Sequence, residues 1–71
     1  MLSYRQLEHF VTVAQELHFS RAADKLGVAQ SAVSVQVQQL EQQLGVRLLQ
    51  RNKRKPITLT DAGELLYDEA V

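Results

Sequence analysis

The sequence predicts a mainly α fold: three helices closed over one apolar core, then a short two-stranded hairpin, then a fourth helix. Three observations carry this. Apolar residues recur at intervals of three and four over successive stretches, each bounded by a residue type that starts or stops a helix. After residue 45 that period gives way to short runs rich in aliphatic and β-branched residues. The 71 residues include no cysteine, so one apolar core has to hold one small domain without disulfides or a thiolate metal site.

Ser3 and Gln6 stand at capping-box spacing, and Leu7, Phe10, Val11, Ala14 and Leu17 follow as an apolar stripe, which predicts a first helix over about Ser3–Leu17. Ser20 is placed to cap a short second helix, about Arg21–Leu26, in which Ala22, Ala23 and Leu26 are apolar and which Gly27 ends. Val33, Val37, Leu40 and Leu44 align on one side of a third helix, about Ser31–Leu44, ending at Gly45. Val46–Gln50 and Ile57–Thr60 read as strands around a basic loop, with Pro56 limiting the pairing to an edge. Thr60 with Asp61 opens a fourth helix that carries Ala62, Leu65 and Leu66 on one face. Tyr67 and Val71, with Ala70 beside them, form a second apolar strip turned away from that face, and we expect it to begin a dimer interface.

Net charge is zero, which by itself argues against a nucleic-acid partner. The distribution argues the other way. Arg47, Arg51, Lys53, Arg54 and Lys55 place five of the eight cations within nine residues, whereas Asp61, Glu64, Asp68 and Glu69 follow with no cation among them.

Two helices joined by a tight glycine turn, the first short and alanine-rich and the second longer, form a helix-turn-helix signature. Ala23 is small enough for the helices to approach, Gly27 accommodates the turn, and Val33 fills the angle between them. With a basic hairpin directly after the second helix, the pattern reads as a winged helix-turn-helix that places the third helix in the major groove of DNA. A helical wheel puts Ser31, Val35, Gln38 and Gln42 opposite the core stripe, flanked by Ser34 and Gln39. Glutamine pairs with adenine, serine donates or accepts, and a valine methyl packs on thymine, so Gln30, Ser31, Ser34, Val35 and Gln38 are the expected base-reading residues. No Lys or Arg occurs from Leu26 to Val46. Phosphate contacts are therefore expected from Ser20, Arg21, Lys25, Arg47, Arg51, Lys53, Arg54 and Lys55, with the wing, about Val46–Thr60, on the backbone or minor groove.

Over nearly its whole length the chain resembles the N-terminal DNA-binding domain of LysR-type bacterial transcription regulators. The resemblance is carried by Phe10–Ala14, Phe19–Leu26, Val28–Ser34, Gln39–Glu41, Leu44–Val46, Leu48–Arg51 and Leu59–Gly63. It implies a three-helix core with a two-stranded wing over residues 1–60 and, over 61–71, the start of a long linker helix used for dimerisation. It further implies an effector-binding domain in the intact protein, of which this chain would be a fragment that needs no cofactor itself. Expected partners are double-stranded DNA with two half-sites, a homodimer that becomes a tetramer when intact, and RNA polymerase; the expected place is the bacterial cytoplasm, at the nucleoid. The chain departs from the family's usual Pro at Ser31, Arg at Val35 and Phe at Leu49, and its wing is about one residue longer around Lys55–Pro56.

Other functions find little support. His9 and His18 are the only histidines, the first expected at the surface and the second at a helix end; no cysteine, no Gly-rich phosphate loop and no metal-ligand pair at credible spacing is present, so no enzyme and no metal are expected. The polar N-terminus and short apolar runs predict neither a leader nor a membrane span. The rival reading is a protein-interaction adaptor on the same fold, which would lack the steep salt dependence of DNA binding.

Overall fold

Ser3 starts the first helix as its spacing requires. In the computed structural model, which describes the backbone of residues 3–52 and 55–70 and the side chains of 3–51 and 56–70, Ser3 Oγ accepts from the Gln6 amide at 3.1 Å and Gln6 Oε1 accepts from the Ser3 amide at 3.3 Å. The helix, α1, spans Tyr4–Glu16. Its buried face is rotated from the expected stripe. Phe10 and Val13 are buried together with Gln6, His9 and Thr12, while Leu7 and Val11 only pack against the core edge. These polar residues tolerate burial because their bonds close locally: His9 Nδ1 donates to the Arg5 carbonyl at 2.8 Å and Thr12 Oγ1 to the Glu8 carbonyl at 2.8 Å. His9 is thus a core histidine and not the surface residue its place off the stripe suggested. Leu17 ends α1 in the left-handed region at φ 53° and is 40% exposed, so it leaves the stripe as well.

Helix α2 spans Phe19–Leu26 and begins earlier than expected, because His18 and not Ser20 is its N-cap. His18 Nδ1 accepts from the Arg21 amide at 3.4 Å, and the Ser20 hydroxyl lies 3.3 Å from the same nitrogen. Ala22 and Ala23 are buried against α3, Gln30–Leu44, and Gly27 turns the chain between the helices at φ 72°. Val33, Val37 and Leu40 of α3 are fully buried; Leu44, expected to complete their stripe, lies in the last turn beyond the core and is exposed.

The hairpin pairs β1, Leu49–Asn52, with β2, Lys55–Leu59, antiparallel. Both strands reach further into the loop than the sequence suggested, and Val46–Leu48 stay outside the ladder. The register runs Leu49 to Leu59, Gln50 to Thr58 and Asn52 to Lys55. Two steps on β1 therefore face three on β2, a bulge beside Pro56, which has no amide hydrogen to give a ladder. Leu48 and Leu49 complete the core.

Helix α4, Asp61–Ala70, begins at Thr60, whose Oγ1 accepts from the Gly63 amide at 3.0 Å. Its packed face is Ala62, Gly63, Leu66 and Tyr67; Leu65, expected there, points away and is 65% exposed. Tyr67, expected on an outer strip, packs against the core. The cause is Gly63, which is buried against the Leu48 carbonyl so closely that a Cβ at this position would overlap the oxygen and stand 3.0 Å from its carbon.

Alanine normally stabilises a helix by about 1 kcal/mol over glycine. At Gly63 the sign should reverse, since the obstacle is backbone: Gly63→Ala is expected to cost about 1 kcal/mol or more and lower the melting temperature by about 4–8 °C. A melt at or above the parent value would show that α4 does not seat on Leu48.

Candidate nucleic-acid interface

The third helix shows solvent an uncharged face. Gln30, Ser31, Val35, Gln38 and Gln42 are exposed, Val35 at 46%, and Ser34 is half-buried at the margin. Gln39 is turned toward α1, where its Oε1 accepts from Gln6 Nε2 at 3.5 Å. No side chain caps the start of α3, so its first amides remain open.

The cations stand around this face. Arg21 is exposed in the first turn of α2. Arg47 and Arg51 are exposed and, with Gln38, Glu41, Gln42, Gly45, Val46 and Leu49, line a groove between the end of α3 and the wing. A second recess, lined by His18, Phe19, Ser20, Gln30, Pro56 and Ile57, joins the starts of α2 and α3 to the wing. Lys25 is engaged elsewhere, in an ion pair with Glu16 at 3.3 Å. Of the expected phosphate contacts, Lys53, Arg54 and the Lys55 side chain lie outside the described residues, as does Val71 of the expected dimer strip.

Glu41 fixes the wing to this helix. Its Oε2 accepts from the amides of Leu48 at 2.8 Å and Leu49 at 3.3 Å, while its own carbonyl accepts from Gly45 at 2.8 Å and Val46 at 3.3 Å. On the other side of the junction the Thr60 hydroxyl donates to the Arg47 carbonyl at 2.6 Å, and the Thr60 amide donates to the Leu48 carbonyl at 3.0 Å. The sequence marked Glu41 only within the Gln39–Glu41 motif and gave it no role, because a carboxylate beside a core leucine in a glutamine-rich helix reads as a solvated charge. The sequence likewise gave no sign that the Arg51 guanidinium lies over the Phe19 ring, 4.8 Å from its centroid.

Among the described residues there is no group of three His, Cys, Asp or Glu side chains that could hold a metal ion, and no helix long and apolar enough to cross a membrane. The three-helix core with its hairpin, and the uncharged outward face of the third helix beside Arg47 and Arg51, define a winged helix-turn-helix protein. Residues 4–64 match the bacterial regulatory helix-turn-helix proteins of the lysR family, and the chain belongs to that family. It is 49% identical over 70 residues to a probable cat1 operon transcriptional activator of Acinetobacter lwoffii, covering 99% of this chain and 23% of that protein. Among solved structures it is similar to the BenM DBD in complex with catB site 1 DNA, from Acinetobacter baylyi, with a TM-score of 0.91, 44% identity, and 96% of this chain against 74% of that one. It is also similar to an H2O2-bound OxyR of Corynebacterium glutamicum, with a TM-score of 0.94, 40% identity, and 99% of this chain against 21% of that one. The chain spans between 20% and 24% of the length of such curated relatives. They are transcriptional regulators and not enzymes.

Replacing Glu41 by alanine would strand two backbone amides at the junction, and hydrogen bonds to a charged group contribute about 1.5–3 kcal/mol. Glu41→Ala is therefore expected to lose about 2 kcal/mol in chemical denaturation, with Glu41→Gln, which keeps one acceptor oxygen, losing less. Equal losses in the two variants would mean that the carboxylate acts through its charge and not as the acceptor for the wing.

Proposed function

We propose that this chain is the DNA-reading part of a bacterial transcription regulator, with α3 in the major groove and the wing on the backbone or in the adjacent minor groove. The observation that carries the reading is the exposed, uncharged face of α3, whose Gln38 and Gln42 share a groove with Arg47 and Arg51, together with the exposed Arg21 in the first turn of α2. Arg21 and Arg47 there neutralise phosphates and orient the domain, while Gln30, Ser31, Ser34, Val35 and Gln38 meet base edges. Ser20, at the start of α2, and Lys53, Arg54 and Lys55, in the wing, complete the backbone contacts. The BenM DBD, similar over nearly the whole chain, has been solved on DNA, which supports the same use here.

In this reading residues 1–60 form the winged domain and 61–71 open a linker helix. A homodimer, and a tetramer of the intact protein, would contact through Ala70 and Val71 with Tyr67 in support; Ala70 borders a groove with Tyr4, Leu7 and Val11, and Tyr4 is 79% exposed. Two half-sites then bind cooperatively, because the second contact is intramolecular. The H2O2-bound OxyR supports a small-molecule effector for the intact regulator, acting outside this chain. The setting is the cytoplasm, at the nucleoid, with RNA polymerase as the further partner.

Selection of bound duplexes from a random pool tests the reading directly. Val35 cannot donate a hydrogen bond, so the parent should prefer a thymine or tolerate several bases opposite it. Val35→Arg is expected to introduce a guanine preference worth ~1–3 kcal/mol at one position of each half-site, without loss of folding at this exposed position. An unchanged preference in a folded variant would place α3 in another orientation.

The wing calls for a different measurement. Replacing Lys53 and Arg54 with alanine is expected to weaken selected and unrelated duplexes by similar factors and to reduce the salt slope by about 1 per residue. Loss confined to the selected duplex would assign the pair to base reading, and a parent whose binding ignores salt would favour the protein adaptor instead.

A further inference from the structure

Between the wing and the start of α2 lies an interaction that DNA binding does not require. Arg51 is the third residue of β1, and its guanidinium carbon lies 4.8 Å from the centroid of the Phe19 ring. Phe19 is the first residue of α2, half-buried and packed against the core, directly after the His18 cap. It is the one cation–π contact among the described residues.

The hairpin needs such a contact. Two strands alone are marginally stable in water. Leu48 and Leu49 anchor the base of this hairpin in the core, Glu41 and Thr60 hold the junction at residues 47–49, and Ile57 and Leu59 pack β2 against the core edge, so that on β1 the hold beyond Leu49 falls to Arg51. Residue 51 lies further out, between Gln50 and Asn52, opposite the bulge of β2.

We propose that Arg51 is a positioning residue: laid on the face of Phe19, it sets the angle of the wing against the helix-turn-helix, and it contributes to DNA binding through that angle and not as an independent phosphate contact. Arginine suits the task because its planar guanidinium stacks on an aromatic face and stays charged. The assignment rests on the DNA-reading function proposed above for its consequence, but the stack can be tested without DNA.

The test is a double-variant cycle on this chain with Phe19→Leu, Arg51→Gln and the two combined, with Phe19→Tyr as the conservative control. Two readouts are taken: hydrogen exchange of the hairpin amides in the free chain, and affinity for a duplex recovered by selection. Each single variant is expected to speed hairpin exchange and to weaken binding by about two- to fivefold, the scale of an exposed cation–π contact, with the α1 and α3 amides unchanged. The combined variant should be no worse than either single one, and Phe19→Tyr, which keeps the ring face, should match the parent in both readouts. Arg51→Gln alters an exposed side chain, so it reports even if Phe19→Leu unfolds. Additive effects overturn the proposal, as does a Phe19→Leu variant that binds normally while Arg51→Gln flattens the salt slope by about one phosphate contact. If the parent binds no duplex, the function falls, and the exchange cycle alone decides whether Arg51 holds the wing.

Discussion

The carboxylate of Glu41 is the point on which α3, the wing and α4 depend. A winged fold must turn from a helix into a strand within a few residues, and at that turn the backbone amides have no ladder and no helix to pair with. Glu41 meets the need from inside the helix. Its carbonyl closes the helix end at Gly45 and Val46, and its side chain receives Leu48 and Leu49, so a single residue both ends α3 and starts the wing. With its amide held there, the Leu48 carbonyl is presented to the Thr60 amide and to the close approach of Gly63, which fixes the start of α4. Three elements thus take their relative positions from one carboxylate and one carbonyl.

The core closes over this junction in an uneven way. Apolar side chains from α1, α2, α3 and β1 fill the centre, yet α1 gives Gln6, His9 and Thr12 to the same buried face. Their polar atoms find partners on the helix itself, at its cap or, for Gln6 Nε2, on Gln39 of α3, and among the described residues no buried side-chain nitrogen or oxygen is left unpaired. Local satisfaction of this kind lets a small domain enlarge its interior with polar residues at little cost.

The legibility of the sequence follows the range of the interactions. Signals that act within one turn were readable: the Ser3–Gln6 box, the stops at Gly27 and Gly45, the cap at Thr60. The periodicity of α3 placed its inner and outer faces correctly, except for Leu44 beyond the core. What depends on packing between elements was not readable. Leu65 and Tyr67 exchanged places because Gly63 sets the roll of α4, and His9 went inside because a carbonyl one turn back receives its proton. Ser20 lost the cap of α2 to His18, one residue ahead of Phe19, since either residue type can accept from the helix amides and the start of the helix decides between them. The Arg51–Phe19 stack joins residues more than thirty positions apart, beyond the reach of any periodicity.

The absence of Lys and Arg between Lys25 and Arg47 has an evolutionary consequence. In the function proposed above, grip and choice reside on separate stretches of chain, so neutral substitutions on the outer side of α3 leave the total charge and the junction beneath it untouched. The buried side is occupied by Val33, Val37 and Leu40, none of which shares a position with the outer residues. A lineage can therefore alter positions 31, 35 and 38 one at a time while foldability stays constant, and duplicated copies of such a chain can drift to new targets without first acquiring a new scaffold.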